Sequence, residues 1–174
     1  MRRVTKPVFV GDVKVGGDAP ISVQSMTKTD TRDVKSTLIE IKELENAGCE
    51  IIRCAVPDME AAKALKEIKK GARIPVVADI HFHHELAIES LKSGVDCLRL
   101  NPGNIRDEEK VKEVVKLAKQ REVPIRIGVN FGSLPPVGAI GKTRGLNRHD
   151  DGVNLLTKGS TPSSDYTAVD HMVA

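Results

Sequence analysis

The sequence predicts an α/β fold of parallel strands, and three observations support this. Amphipathic helical segments alternate with short runs of β-branched residues along the chain. Gly48, Gly71 and Gly94 recur at equal intervals, each between a helical segment and the next apolar run. The 174 residues, 40% of them hydrophobic, are sufficient for one domain. Strands that alternate with helices of about 10 to 15 residues require crossover connections and therefore a parallel sheet.

The first element is a predicted hairpin within residues 1–18. Two valine-rich segments, 8–10 and 13–15, flank Gly11 and Asp12, which are typical turn residues. We expect this hairpin to cover one end of the sheet.

Five strands and four helices follow between residues 19 and 134. The predicted strands are 21–24, 50–54, 74–79, 96–100 and 124–130, and the predicted helices are 33–47, 58–71, 85–92 and one that begins after Asp107. A complete (β/α)₈ barrel needs about 250 residues. Five parallel strands could form an open sheet; if they belong to a barrel, it is an incomplete TIM-type barrel of which the first five strands are present.

The periodic pattern ends after this region. Residues 135–162 show neither helical nor strand periodicity, which predicts a long loop or an insertion. Ser163, Ser164 and Asp165 resemble a helix N-cap, and an apolar face begins after them. We expect residues 163–174 to form the start of a truncated helix.

Composition excludes several classes of protein. The net charge of +3 is spread along the chain, and there is no Trp and one Tyr, which disfavours nucleic-acid binding. No run approaches the roughly 18 apolar residues of a membrane span. The basic residues at the start are not followed by a secretory signal pattern. We expect a cytoplasmic protein with no nucleic-acid or membrane partner.

Three cysteines, Cys49, Cys54 and Cys97, could be iron–sulfur ligands or buried apolar residues. Their number is odd and none of them forms a Cys-x-x-Cys pair, the spacing by which clusters are commonly held. Free cysteine is usually interior. Burial is therefore the preferred interpretation.

Arginine occurs in three predicted strands, at Arg53, Arg99 and Arg126. Strands of a covered parallel sheet are normally apolar, and a buried guanidinium without an anion is costly. One explanation is that the three converge on a bound anion of high charge, for which the five-donor guanidinium is well suited. The alternative is internal pairing with carboxylates, namely Glu50, Asp79 or Asp96.

Other polar residues follow the same strands at their carboxyl ends, where ligands bind in such folds. They are Gln24 to Thr27, Asp79 and His81, Asn101 to Asn104, and Asn130. His81 and His83 resemble a His-x-His metal pair, but the arginines occupy positions where further ligands would be needed, so we expect no metal. The isolated glycines, Gly16, Gly17, Gly128 and Gly132, are expected in turns.

Four segments together resemble the N-terminal barrel of the 4-hydroxy-3-methylbut-2-enyl diphosphate synthase family. They are GDAPISVQSMT (17–27), VADIHF (77–82), LRLNPGN (98–104) and IRIGVNFGSL (125–134), and the resemblance runs from about residue 3 to residue 134. It implies an oxidoreductase of isoprenoid biosynthesis that opens 2-C-methyl-D-erythritol 2,4-cyclodiphosphate reductively with loss of water. It also implies a 4Fe–4S cluster, ferredoxin or flavodoxin as electron donor, and a homodimer.

The resemblance assigns roles residue by residue. It implies that Arg53, Arg99 and Arg126 grip the diphosphate, that His81, Asn101 and Asn130 complete the polar cradle, and that Asp79 orients His81, with Asp79 and His81 as the catalytic pair. The family's cluster ligands are three cysteines and a glutamate in a C-terminal domain, which does not occur within residues 1–174. We therefore expect this chain to bind the substrate and to be inactive alone.

Two alternatives remain open. The first is another phosphate-binding barrel enzyme, similar to pteroate synthase in fold but not in reaction. The second is a non-catalytic anion-binding fragment whose open sheet edge needs a partner.

Overall fold

A computed structural model of the chain describes residues 4–81, 83–101, 107–128 and 172–173. Its first element is an antiparallel hairpin of β1 (Val8–Val10) and β2 (Val13–Val15). Gly11 turns between the strands with φ of +58°, a conformation that glycine adopts without steric cost. The predicted hairpin is confirmed.

Within the described residues, the main sheet holds five parallel strands in sequence order, and a helix lies between each successive pair. The strands are β3 (Gln24–Met26), β4 (Ile51–Val56), β5 (Val76–Ile80), β6 (Cys97–Leu100) and β7 (Ile125–Ile127). A sixth strand, β8 (Met172–Val173), pairs antiparallel with β7. Sequential order is typical of a (β/α) barrel, whereas doubly wound sheets reverse it. The predicted α/β class is confirmed.

An aspartate caps the N-terminus of three of the four helices in the part of the chain that the structure describes. Asp33 accepts a hydrogen bond from the backbone of Ser36, Asp58 from that of Ala61, and Asp107 from that of Glu109, which satisfies donors that a helix start leaves unpaired. The helices are α1 (Val34–Asn46), α2 (Met59–Gly71), α3 (His84–Lys92) and α4 (Glu108–Gln120).

Two hydrophobic clusters lie on opposite faces of the sheet. The larger joins the helices to the outward residues of the strands, such as Ile52, Ala78 and Leu98. The smaller cluster lies on the other face, which we call the inner face. Its buried members are Val8, Val10, Ile51, Val77 and Cys97. The hairpin therefore covers the amino end of the inner face, as the sequence predicts.

Two predicted elements differ from the structure. The first strand of the main sheet is Gln24–Met26 rather than 21–24. Ile21 and Val23, which suggested the earlier start, are 84% and 55% exposed, because pairing with β4 begins only at Gln24. At 172–173 the structure has strand β8, paired with the edge of β7, where the sequence predicts a helix. The rest of 163–174 and all of 135–162 lie outside the described residues.

The described part of the chain contains no helix that is both long and apolar enough to cross a membrane.

Candidate functional site

The inner face of the sheet changes character along the strands. Ile51 in β4 and Val77 in β5 are apolar and buried under the hairpin. Two residues further along the same strands are Arg53 and Asp79. Because alternate residues of a strand point to the same face, these side chains also lie on the inner face, nearer its carboxyl end. Arg99 and Arg126 extend this polar layer, since Arg99 lies opposite Asp79 and Arg126 lies opposite Arg99 in the strand register.

Asp79 is the buried anion of this layer, with 2% of its surface exposed. One of its oxygens, Oδ1, accepts a hydrogen bond from Arg99 Nη1 at 3.0 Å. The other, Oδ2, lies 3.3 Å from Arg53 Nε. One carboxylate therefore pairs with two guanidinium groups, so the alternative of internal pairing holds for Asp79 with Arg53 and Arg99.

The other two carboxylates considered as partners lie away from the arginines. Glu50 precedes β4 and accepts a hydrogen bond from the backbone of Val23 at 2.7 Å. Asp96 precedes β6, accepts one from the backbone of Val76 and forms an ion pair with Lys69. Both residues precede their strands, so their side chains meet the amino ends. Of the three carboxylates named as alternative partners, Glu50 and Asp96 therefore pair elsewhere.

Arg53 is only partly satisfied by these contacts. Its Nε lies within ion-pair distance of Asp79, but the group is buried and makes no hydrogen bond of acceptable geometry. Its Nη2 donates to Met26 Sδ at 3.3 Å, and a thioether is a weak acceptor. A buried cationic donor without a good acceptor is costly, so the site favours an additional anion.

Arg126 contacts a neutral acceptor. Its Nη1 donates to the side-chain oxygen of Gln24 at 2.6 Å. Among these groups, three guanidinium cations face one carboxylate. The layer therefore carries an excess of positive charge. The ligand that suits it is a multiply charged anion.

Gly128 makes room for Arg99. The Nη2 of Arg99 donates to the carbonyl oxygen of Gly128 at 3.1 Å. A Cβ on Gly128 would lie only 2.1 Å from Arg99 Nε, a distance that requires the guanidinium to move. The small size of Gly128 thus permits the close approach of the Arg99 guanidinium, and the expectation that Gly128 is a turn residue is wrong. Gly16 and Gly17 do adopt positive φ, as turn residues do.

His81 and Asn101 lie at the ends of neighbouring strands. His81 follows β5, and its Nε2 is 3.5 Å from Asp79 Oδ1, while 37% of its side chain is exposed. Asn101 follows β6 and is buried, with 2% exposed. The structure therefore brings His81 to Asp79, while the catalytic and binding roles of both residues stay predictions. Asn130 lies outside the described residues.

A model of the GcpE TIM-barrel domain family matches residues 5–145. The chain belongs to this family. The resemblance seen in the sequence motifs is thereby confirmed, and the five parallel strands are those of a GcpE TIM-barrel domain.

Curated relatives of this GcpE domain carry one name. A protein of Dehalococcoides mccartyi is 65% identical over 134 residues, and one of Thermodesulfovibrio yellowstonii is 61% identical over 134 residues. Both are named 4-hydroxy-3-methylbut-2-en-1-yl diphosphate synthase (flavodoxin). Each match covers 77% of this chain and 38% of the relative, so the chain spans well under half of their length.

Solved structures show the same fold at low identity. Dihydropteroate synthase of Yersinia pestis has a TM-score of 0.53 at 10% identity and covers 70% of this chain and 45% of its own. The enzyme of Vibrio fischeri has a TM-score of 0.52 at 12% identity, with coverage of 71% and 48%. At this identity the likeness shows the barrel fold alone.

The cysteines of the GcpE domain are buried and free. Burial raises the pKa of the Cys54 thiol to about 11 and that of Cys97 to about 12. Within the described residues, no three His, Cys, Asp or Glu side chains are grouped so that they could hold a metal ion. These cysteines are interior residues, as the sequence predicts, and they do not fit a cluster.

Two residues of this layer were missed as contributors to the site. The sequence places Gln24 at the end of a predicted strand without indicating Arg126 as its partner, and it predicts a turn at Gly128. Both roles depend on contacts between distant positions, since 102 residues separate Gln24 from Arg126 and 29 separate Arg99 from Gly128. The one available signal was the presence of Gln24 in the same predicted rim as the arginines.

Proposed function

We propose that this chain is the diphosphate-binding part of a 4-hydroxy-3-methylbut-2-enyl diphosphate synthase. The substrate is 2-C-methyl-D-erythritol 2,4-cyclodiphosphate, which gains two electrons and two protons, opens its ring and loses one water. Membership of the GcpE family and the names of the relatives support this assignment. The structural observation that carries it is the excess of positive charge among the described residues of this layer: Asp79 pairs with Arg53 and Arg99, and Arg126 contacts the neutral Gln24.

The arginines suit a diphosphate in charge and geometry. They come from β4, β6 and β7, so they approach a ligand from three positions on the inner face. A guanidinium presents parallel donors that match phosphate oxygens and stays charged at all relevant pH values. Asp79 offsets part of the repulsion between Arg53 and Arg99 and leaves Arg126 charged for the ligand.

His81 and Asn101 complete the proposed cradle, with Asn130 as the further amide. Asp79 lies close enough to His81 Nε2 to orient the imidazole, and the exposed part of the ring can donate to a phosphate oxygen or transfer a proton. Asp79 therefore acts as counter-ion to the arginines and as the orienting group for His81.

Electron delivery requires groups other than those described. In the proposed enzyme a 4Fe–4S cluster supplies the electrons, and the relatives' name supports flavodoxin as donor, with ferredoxin as the alternative. The buried Cys49, Cys54 and Cys97 do not fit as its ligands. We accordingly assign only substrate binding and orientation to the described residues. A homodimer, in which a cluster domain of one subunit closes over the barrel of the other, is part of the same proposal.

Calorimetric titration of the intact protein with the cyclodiphosphate tests the assignment. Arg99→Met should weaken binding by about 2–5 kcal/mol, because it removes a buried charge that contacts the ligand and leaves Asp79 underpaired. Arg121→Met, at an exposed arginine that caps α4, is the matched control and should leave the affinity unchanged. Equal affinities of Arg99→Met and the wild type, or a clear preference of the wild type for a different phosphorylated metabolite, would overturn the proposal.

A further inference from the structure

The contact between Gln24 and Arg126 joins strands that are not neighbours in the sheet. Gln24 begins β3 and Arg126 lies in β7, and three strands separate them in the strand order. Their side chains nevertheless meet, with 2.6 Å between Gln24 Oε1 and Arg126 Nη1. The hydrogen bond therefore crosses the concave inner face, and it ties the first parallel strand to the fifth.

The chemistry of this pair fixes which atom of the amide faces the arginine. A guanidinium has donors only, so Gln24 must present its oxygen. The amide is neutral and orients Arg126 without neutralising it. Among the described residues, no carboxylate forms an ion pair with Arg126, whereas Arg53 and Arg99 share Asp79.

Strand β3 provides a second neutral acceptor. Met26, two positions after Gln24 and hence on the same face, accepts from Arg53 Nη2 through its sulfur. The strand thus contacts two of the three arginines and carries no charge of its own.

We propose that Gln24 is a positioning residue of the anion site: its amide oxygen holds the Arg126 guanidinium in place while leaving the full charge for the ligand. The inference rests on the proposed diphosphate-binding function and goes beyond it, because it states that Gln24 must be neutral for Arg126 to keep its charge for the anion. A glutamate at position 24 would hold the guanidinium at least as firmly but would cancel its charge.

Two variants at position 24 separate the effect of orienting Arg126 from the effect of the charge beside it. Gln24→Met removes the strong acceptor at similar volume, and Gln24→Glu keeps an acceptor and adds a negative charge. Gln120→Glu, at an exposed position at the end of α4, is the matched control, because Gln24 and Gln120 are the two glutamines of the chain. The probes are inorganic pyrophosphate and orthophosphate, titrated calorimetrically into the intact protein at constant ionic strength.

We expect Gln24→Glu to weaken pyrophosphate binding about tenfold or more while its melting temperature stays at or above that of the wild type. The loss should be greater for pyrophosphate than for orthophosphate, since an added carboxylate repels the more highly charged anion more strongly. A defect of folding would weaken both anions alike. Gln24→Met should weaken binding less than Gln24→Glu, and Gln120→Glu should bind like the wild type.

The outcomes distinguish this inference from the function on which it rests. A wild type that binds neither pyrophosphate nor the cyclodiphosphate would overturn the proposed function. A wild type that binds pyrophosphate, together with a Gln24→Glu variant that binds it as Gln120→Glu does, would overturn the role of Gln24 alone. If Gln24→Glu lowers the melting temperature, the Gln24→Met variant provides the test instead. An unchanged pyrophosphate affinity in Gln24→Met would then overturn the positioning role of Gln24.

Discussion

The two ends of the inner face are built from the same strands but have opposite chemistry. At the amino end, Ile51, Val77 and Cys97 form an apolar cluster that the hairpin covers. Two residues further along these strands, Arg53, Asp79 and Arg99 form a charged layer. The period of two along a strand keeps both sets on one face, so position along the strand alone separates them.

This difference shows that one end of the inner face contributes to stability and the other to ligand binding. Apolar burial under the hairpin stabilises the fold, and the charged layer holds cations close together where a ligand can bind. In barrel enzymes, residues at the amino ends of the strands contribute mainly to stability and residues at the carboxyl ends to activity. Substitutions at the amino end should therefore change mainly stability, and substitutions at the carboxyl end should change mainly anion affinity.

Replacing Asp79 by Ala should have the largest effect on stability, because this carboxylate lies in the anion-binding layer and is also buried. Two guanidinium groups, one of them buried, would lose their counter-ion. We expect the free energy of unfolding to fall by about 3–5 kcal/mol. Urea denaturation of the variant, beside Glu43→Ala on the exposed face of α1, measures the change. A loss no greater than that of the control would contradict the pairing.

Replacing Val10 by Ala should affect stability and leave anion affinity unchanged. Val10 is 1% exposed and belongs to the cluster at the amino end. Loss of its buried methyl groups should cost about 2 kcal/mol. Val4→Ala is the control, since Val4 is 95% exposed. Weaker pyrophosphate binding by Val10→Ala, with the protein still folded, would show that the two ends are not separate.

Replacing Gly128 by Ala should affect affinity through Arg99. The added methyl group would overlap the guanidinium and displace it, so we expect about a tenfold loss of pyrophosphate affinity, equivalent to about 1.4 kcal/mol. Gly71→Ala provides the contrast, because the nearest atoms to its Cβ would be those of the flexible Leu38 side chain, away from the charged layer. That variant should bind pyrophosphate normally. Equal affinities of the two variants would refute the role of Gly128.

The smallest expected effect comes from the thiols. Burial raises the pKa of Cys54 to about 11 and of Cys97 to about 12, from an ordinary 9.0. Below about pH 8 both thiols are largely neutral in the folded and unfolded states. As the pH rises further, the unfolded thiols ionise first, so the folded state loses stability. Between about pH 8 and about pH 9.5 we expect a loss of less than about 1 kcal/mol for each thiol.

Urea denaturation at these two pH values measures that loss. A variant with Cys54→Ala and Cys97→Ala should have a shallower pH dependence than the wild type. Identical pH dependence of the two proteins would contradict the burial of the thiols.

The sequence predicted most of the fold because its signals are local. Aspartate caps and amphipathic periods located the helices, as at Asp33 and Asp58, and β-branched runs located four of the five parallel strands. The first of these strands was misplaced because apolar Ile21 and Val23 look like a strand, while the observed pairing with β4 involves the polar Gln24. Strand bounds are set by the neighbouring strand, which a local pattern does not contain.

The residues of the candidate site could be predicted from the sequence, but the contacts between their side chains could not. Arginine in an apolar strand is conspicuous, so Arg53, Arg99 and Arg126 could be identified from local sequence. The contact of Gln24 with Arg126 depends on how the sheet curves, and the role of Gly128 depends on where Arg99 lies. Such contacts between distant residues follow only from the folded arrangement.

A crystal structure of the intact protein with the cyclodiphosphate bound would locate the anion itself. We predict that phosphate oxygens lie within hydrogen-bonding distance of Arg53, Arg99 and Arg126, on the inner face at the carboxyl ends of the strands. A diphosphate bound at the amino end beside the hairpin, or at a surface that none of these three arginines reaches, would contradict it.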